Sequence, residues 1–581
     1  MASRLRTALV LSSISVFLIF FLHYGLWEPG RRLFPALLQL SQFVFALFFL
    51  LHYFPISWKA DRTAVRVLRF GLLLLALGLL ILLVLEWWEG PPRNVQLVSE
   101  SNFLAMLLGF VVISDRLVQI THWNLHPALV FVLSFLALIF LGTLLLLLPR
   151  ATHHGISIVD ALFTATSAVC VTGLIVLDTG KDFTAFGQTV ILLLIQLGGL
   201  GILTFTNLFA LFFTGRQSFK ARLMLHEFIN ADNLSKTFNI LVKIVLFTLV
   251  VEAIGVGLIY LLAPVSPELG NRLFFSLFHA ISAFCNAGFS TLSGSLYEPV
   301  VRYHYGLQLV VAALFIVGGL GYGVVINYYA YLKSRLLKWL DRMSVRKIRY
   351  SPPKRIISIN TVIVVNTTLF LIVAAWGLYF AFEYDHSLRE YPFWGKVAAS
   401  FFGAVTPRTA GFNSVDLSEL AVPTILIYLL LMWIGASPGS TGGGIKTTTF
   451  ALASMSIVHQ MFGRPKLTFR WKEVPLQAIN RTAAVISLSL MAVGLSAFLI
   501  LIFDPQLDPL QVAFESFSAY GTVGLSLGIT AELSAPSKLV LVATMFLGRV
   551  GFLTLLSGIA RQLAGEHLSN YQYPAEPIFI N

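Results

Sequence analysis

The sequence predicts an all-α membrane protein with four tandem helix–pore-loop–helix repeats around one pore, preceded by four additional transmembrane helices. Three observations carry that prediction. The 581 residues are 57% hydrophobic and only 12% charged, about half the charged share of an average soluble domain. Apolar runs of about 20 residues, the length that crosses a bilayer core as a helix, recur along the chain. A short glycine-ended segment recurs four times, each time between two such runs. The runs are continuous rather than alternating, which excludes a transmembrane β-barrel.

Four apolar segments come first, near 7–27, 33–54, 64–86 and 101–120. Eight longer ones follow, near 127–149, 186–214, 238–263, 305–332, 357–382, 421–460, 476–503 and 536–562. The first is long for a signal peptide and lacks a small-residue cleavage site, so it reads as a retained helix. Basic residues set the orientation. Arg4, Arg6 and the segments 58–69, 215–236, 333–355 and 464–472 fall on one side and are rich in Lys and Arg. Glu86, Glu89, Asp178, Asp182, Glu298, Asp385 and Asp416 fall on the other, with Arg31 and Arg32 as exceptions. Both termini are therefore expected in the cytosol. The net charge of +13 sits in the inner loops, where it reads as topology or as docking of a cytosolic partner, not as nucleic-acid binding. The expected units are an extension over 1–124, repeats over 125–236, 237–356 and 357–475, and a fourth repeat with a cytosolic tail over 476–581.

The repeats are visible as Ser167–Leu174, Ser282–Phe289, Gly403–Phe412 and Ser518–Leu525, of which the third carries two extra residues. Their glycines are Gly173, Gly288, Gly411 and Gly524. Broken backbone at membrane depth is tolerated only where it is buried in protein or lines a water-filled cavity, so four breaks imply one shared cavity. A cation leaving water needs replacement ligands, and backbone carbonyls supply them if the chain can take the positive φ that glycine permits. The candidate potassium-binding filter is Val171, Thr172, Gly173, Cys285, Asn286, Ala287, Gly288, Thr409, Ala410, Gly411, Thr522, Val523 and Gly524. The Asn286 side chain either adds a carbonyl or braces its turn. Small-residue helix contacts are the competing explanation, but these glycines lie outside the spanning runs.

On Val171-Thr172-Gly173, Asn286-Ala287-Gly288, Thr409-Ala410-Gly411 and Thr522-Val523-Gly524, the chain from about residue 125 onward resembles the Trk/Ktr/HKT potassium-transporter superfamily. The two extra residues with Pro407-Arg408 resemble it too. The resemblance implies potassium uptake across the cytoplasmic (inner) membrane, and Gly173 favours potassium over sodium. It implies a homodimer with one pore per subunit, set in the lipid bilayer on a separate cytosolic ring of nucleotide-binding regulatory subunits. No cofactor is expected on this chain, with K+ as the transported ion. The extra N-terminal helices depart from the smallest members. Coupling to Na+ or H+, or permeation by Na+, remains open.

A second repeat follows the filters: Gly198-Gly199-Leu200-Gly201, Gly318-Gly319-Leu320-Gly321 and Gly548-Arg549-Val550-Gly551. Arg549 stands where the others have glycine. An intramembrane arginine costs about 2.5–3.5 kcal/mol on insertion scales, so it should face the pore or a partner, and below the filter it would oppose cation passage. In the third repeat the span from Gly435 to Thr449 is too rich in Gly and Pro for a regular helix. Gly439, Ser440, Thr441, Gly442, Gly443, Gly444 and Lys446 are expected to form an unwound gating loop, like the intramembrane loop of that superfamily. Ile445 before Lys446 breaks the Walker pattern, and neither HExxH nor GxSxG occurs, so neither a nucleotide pump nor an enzyme is expected.

Several residues keep open readings. Asp178, Asp182, Glu298 and Asp416 either form a negative vestibule or are ordinary solvated loop charges. Glu252 is a lone intramembrane carboxylate, either a proton carrier or the partner of a base. Gln196 reads as a helix–helix hydrogen bond, and Cys170 and Cys285, at equivalent repeat positions, as packing. Two cysteines make no disulfide framework, and the adjacent His153 and His154 lack the spacing of a helical metal site.

Overall fold

The computed structural model describes residues 2–26, 33–58, 63–89, 127–201, 237–343, 357–463, 466–469 and 472–564, with scattered positions between 101 and 112. Most of the fourth expected span, the basic segment 215–236, residues 344–356 and the tail beyond 564 lie outside the described residues.

Helices α1 (Ala2–Leu26), α2 (Leu33–Trp58) and α3 (Thr63–Glu89) pack in sequence. They share a core that includes Leu9, Val16, Phe45, Phe49, Leu79 and Leu83. A buried hydrogen bond from Gln42 Nε2 to Asn102 Oδ1 (2.7 Å) ties α2 to the chain beyond α3.

Each later unit has an outer helix, a short helix, a glycine turn and an inner helix. The first holds α4 (Pro127–Leu146), α5 (Ile158–Val169) and α6 (Ala185–Leu200); the second, α7 (Thr237–Leu262), α8 (Arg272–Phe284) and α9 (Tyr305–Met343). The third holds α10 (Ile359–Glu383), α11 (Phe393–Val405), α12 (Val422–Trp433) and α13 (Thr447–Met461). A two-residue hairpin, β1 (Thr468–Phe469) with β2 (Lys472–Glu473), leads to the fourth: α14 (Leu476–Phe503), α15 (Pro509–Gly521), α16 (Ala535–Val550) and α17 (Phe552–Ala564). Among the described residues six helices are long and apolar enough to cross a membrane, or seven if the bent α16–α17 pair is one span. The short helices α5, α8, α11 and α15 have 12 or 13 residues and cannot span. Side-chain caps start three of them: Ser157, Asn271 and Asp508 accept backbone N–H groups of the first turn, satisfying donors that a helix start leaves orphaned.

The units close into a ring. The inner helix of each packs on the short helix of the next: α6 on α8, α9 on α11, α12 on α15 and α16 on α5. Three of these junctions follow the chain. The fourth, between the last unit and the first, carries an ion pair from Lys538 Nζ to Asp160 Oδ1 at 2.8 Å, with both side chains mostly buried.

The inner helices differ from the sequence expectation in one consistent way: they break. α9 is interrupted at Gly321 (φ 74°). α16 and α17 meet at Gly551 (φ 86°) with an 81° bend, so the expected single span over 536–562 is two helices. α6 ends at Gly201 (φ 77°), and the rest of the expected span to 214 lies outside the described residues. The last glycine of each Gly-x-x-Gly motif therefore ends a right-handed helix by taking a left-handed φ, which a side chain would disfavour. In the third unit the expected span over 421–460 is broken as predicted, with residues 434–446 separating α12 from α13.

If the ion pair closes the ring, Lys538→Met should lower the thermal midpoint of the purified protein, and Asp160→Asn added to it should cost clearly less than the two changes measured separately. Breaking a partly buried pair is expected to cost about 1–3 kcal/mol. Additive effects in the double-mutant cycle would show that the pair contributes nothing across this junction.

Candidate functional site

The four glycine turns meet. A Cβ placed on Gly173 would collide with the carbonyl oxygen of Ala287; one on Gly288 would lie 3.0 Å from that of Ala410. One on Gly411 would collide with the carbonyl of Val523, and one on Gly524 with that of Thr172. Each glycine thus faces the carbonyl before the next unit's glycine, and the fourth returns to the first. The backbone is repeated as well. Val171, Asn286, Thr409 and Thr522 have φ of 58°, 62°, 65° and 50°, and the glycines two residues on have φ of 91°, 70°, 79° and 93°. A left-handed non-glycine residue costs on the order of 1–3 kcal/mol and persists only where its surroundings hold it.

What holds it is a hydroxyl strap. Ser167 Oγ donates to Leu174 O (2.7 Å) and accepts from Gly173 N (3.0 Å). Ser282 Oγ donates to Phe289 O (2.7 Å), Thr406 Oγ1 to Phe412 O, and Ser518 Oγ accepts from Gly524 N (3.1 Å). The inner helices press on the turns from behind. Gly198, Gly318 and Gly548 leave room only for the carbonyls of Val169, Phe284 and Tyr520, each four residues before its turn glycine.

Residues 434–446 lie directly beneath this ring. The loop is rooted by a bridge between Ile434 and Ile445, by Gly435 N on Ile445 O (2.9 Å), and by Ser437 N on Gly319 O (3.0 Å). Its tip touches three turns through their left-handed residues. Thr441 Oγ1 lies 3.0 Å from Asn286 Oδ1, Gly443 N donates to Thr522 Oγ1 (3.0 Å), and Gly442 packs against Thr409 Oγ1. Arg549 clamps it: one guanidinium nitrogen donates to Thr441 O and the other to Gly198 O (2.7 Å). Lys446 Nζ donates back to Gly442 O (2.7 Å), Ser440 Oγ to Ser437 O (2.6 Å), and Gly439 abuts Gly321. Gly444 has a φ of 65°.

Above the ring lies a cavity of about 320 Å3, floored by Gly173, Gly288, Gly411 and Gly524 and lined by Asp178 and Asp416. Asp182 and Glu298 are absent from its wall. Both acids instead accept backbone N–H groups of their own loops, from Asp178 N (2.7 Å) and Gly294 N (3.0 Å). Glu252 is bound by an amide and a thiol rather than a base: Gln196 Nε2 lies 3.2 Å from it and Cys285 Sγ 3.9 Å. Asn286 braces its neighbour through Nδ2 to Thr409 Oγ1 (3.2 Å). Among the described residues no group of three or more His, Cys, Asp or Glu could hold a metal ion.

The structure therefore brings the four turn glycines together and sets the loop 434–446 against three of the turns. Sequence reasoning missed the breaks at Gly201, Gly321 and Gly551, although the repeated motif marked them. It gave no place to the Arg408 side chain, which is buried with Nη2 3.5 Å from Gly435 O, and it missed the buried His279 and Glu515.

A ring of four short helices whose glycine turns meet, in an all-α membrane protein, defines the class of a membrane transport protein. A family model described as "TrkH: Cation transport protein" matches residues 104–570, and the chain belongs to that family, within the Trk/Ktr superfamily of transporters rather than of enzymes. The Ktr system potassium uptake protein B of Bacillus subtilis (strain 168) is 37% identical over 470 residues, covering 79% of this chain and 98% of that one. The potassium/sodium uptake protein NtpJ of Enterococcus hirae is 34% identical over 466 residues, with the same coverage. The crystal structure of the potassium transporter TrkH from Vibrio parahaemolyticus shares the fold, with a TM-score of 0.59 at 17% identity over 85% of this chain and 98% of that one.

Two glycines separate packing from mere helix composition. Gly548→Ala should prevent folding or lower stability by more than about 3 kcal/mol, because its Cβ would overlap backbone that cannot move aside. Gly257→Ala, within α7 with nothing within 4 Å, should be neutral or stabilising by up to about 1 kcal/mol. Equal thermal midpoints for the two variants would contradict the close approach at Gly548.

Proposed function

We propose that this chain takes up potassium across the cytoplasmic membrane through a filter made by its four glycine turns, gated from below by the loop 434–446 and Arg549. The observation that carries the reading is the closed ring, in which Thr172, Ala287, Ala410 and Val523 each set a carbonyl against the preceding unit's glycine. Carbonyls in that arrangement can replace the water around a dehydrated K+. Relatives named as potassium uptake proteins support the choice of ion. The loop fits a gate because its tip lies against three of the turns, and there it consists of small residues joined to those turns by hydrogen bonds. Arg549 places a fixed positive charge on the cation's path and ties the loop shut through Thr441 O. Opening requires both to move together.

The same reading takes the protein as a homodimer in the inner membrane, with both termini in the cytosol and a separate nucleotide-binding regulatory ring against the inner loops. No cofactor is assigned to this chain. A second reading, permeation by sodium as well, is favoured by the relative named as a potassium/sodium uptake protein. It differs from the first only in how strictly the ring rejects the smaller ion.

The test is cation flux into proteoliposomes holding the purified chain, comparing K+, Rb+, Na+ and Li+ at a set membrane potential. Potential-driven K+ and Rb+ uptake with little Na+ uptake is the expected outcome, whereas equal Na+ uptake selects the second reading. Gly173→Ser should lower the K+/Na+ flux ratio about tenfold, the equivalent of about 1.4 kcal/mol, because it widens one corner of the ring; an unchanged ratio would remove Gly173 from the filter. Arg549→Ala should raise K+ flux severalfold, and a folded variant with lower flux would refute the clamp.

A further inference from the structure

Two buried titratable side chains beside the filter have no part in the reading above. Glu515 on α15 and His279 on α8 are both fully buried. They hold the same repeat position, three residues before the strapping Ser518 and Ser282. Each reaches a serine at a second repeated position, two residues after the turn glycine: Ser526 after Gly524 and Ser290 after Gly288. Both serines line the outer cavity.

The hydrogen bonding matches in detail. Ser526 Oγ donates to Glu515 Oε1 and accepts from Gly528 N (2.9 Å). His279 Nδ1 lies 2.9 Å from Phe275 O, a pure acceptor, so Nδ1 carries the proton and Nε2 accepts from Ser290 Oγ at 2.9 Å. Ser290 Oγ in turn accepts from Leu292 N (3.0 Å). In both units the serine donates to a pore-helix acceptor and receives the N–H two residues on. Thr530 Oγ1 adds a contact of 3.1 Å to both carboxylate oxygens of Glu515.

The other two units lack the arrangement. Thr164 and Ile175 stand at these positions in the first, Gly403 and Asn413 in the third. Gly403 is required there, since a Cβ would lie 2.6 Å from the Tyr379 ring, and its carbonyl receives the Tyr428 hydroxyl (2.6 Å). The brace therefore occurs in the second and fourth units alone, which face each other across the ring.

We propose that Glu515 and His279 are positioning residues that clamp opposite walls of the filter's outer mouth through Ser526 and Ser290, and thereby set its preference for K+ over Na+. The inference rests on the filter reading and names the groups that determine its specificity. Selection against the smaller ion, whether by cavity size or by carbonyl number and field, needs a ring that does not close inward on Na+. A strand clamped two residues beyond each glycine on facing walls resists that closure.

The test reads ion binding without needing an open gate. The thermal midpoint of the purified full-length protein is titrated with KCl and with NaCl, at constant ionic strength set by choline chloride, to give an apparent affinity for each ion. Wild type should be stabilised at lower concentration by K+ than by Na+. Ser526→Ala and Glu515→Leu should narrow that ratio about fivefold, the net worth of one hydrogen bond, and Ser290→Ala should do the same on the facing wall. Glu515→Gln, which keeps the acceptor oxygen, should retain the ratio. Should Glu515→Leu not fold, the two serine variants, each lacking one hydroxyl at the cavity wall, decide alone. An unchanged ratio in both serine variants, or K+ and Na+ affinities that fall in equal proportion, would overturn the brace while leaving the filter intact. A wild-type protein that does not discriminate the ions would overturn the filter reading, and the brace with it.

Discussion

The closest constraint in this protein is that four strands of backbone approach one another more nearly than any side chain allows. Each of Gly173, Gly411 and Gly524 has a neighbouring unit's carbonyl where its Cβ would stand. In a bilayer, apolar contact alone does not hold helices together, because lipid tails are as apolar as leucine. Close backbone approach and hydrogen bonds must supply the association, and here both are concentrated at the turns. The short helices bring the turns to the axis, the inner-helix glycines press against the last carbonyls of those helices, and a serine or threonine straps each turn to its own helix.

The loop beneath the ring is held by a different kind of bond. Its ends are buried, with Ile434, Ala436 and Ile445 at 2% exposure or less, while its tip is held by hydrogen bonds and by Arg549. Single hydrogen bonds contribute about 0.5–1.5 kcal/mol net, and those to charged groups about twice as much. Such a loop can be displaced by a modest bias, since a ligand or partner needs only a few kcal/mol of differential interaction to shift a two-state element. The ring above it is fixed by backbone overlap and cannot yield in this way. Ring and loop are thus in contact while differing in what holds them: backbone overlap between units in the one, hydrogen bonds at the tip of the other.

The fourfold plan is not carried through to the side chains. Arg549 occupies a position that is glycine in the first two units, among the described residues only the third unit unwinds over a whole loop, and a buried imidazole and a buried carboxylate hold serine hydroxyls in the second and fourth. The tandem repeat of one chain makes this possible: each unit can be specialised at a single equivalent position without changing the others, as a symmetric assembly of identical chains could not.

How much of this was legible follows from the range of the interactions. The membrane class, the four turns and the loop were legible because their signals are local: long apolar runs, glycines where φ must be positive, and a Gly-Pro-rich stretch that cannot stay helical. Arg549 stood out in the sequence because a charge in an apolar run is itself an anomaly. The breaks at Gly201, Gly321 and Gly551 were marked by the motif but hidden by it too, since a glycine inside an apolar run does not say whether the helix continues. Beyond reach were the polar pairings: across units, Lys538 with Asp160 and Gln196 with Glu252; within a unit, His279 with Ser290 and Glu515 with Ser526. The sequence by itself determined which residues must turn and which must cross the membrane, because backbone conformation and hydration act residue by residue. Only the tertiary structure decided which polar groups meet behind the turns, because hydrogen bonds between units depend on how helices far apart in the chain come to lie side by side.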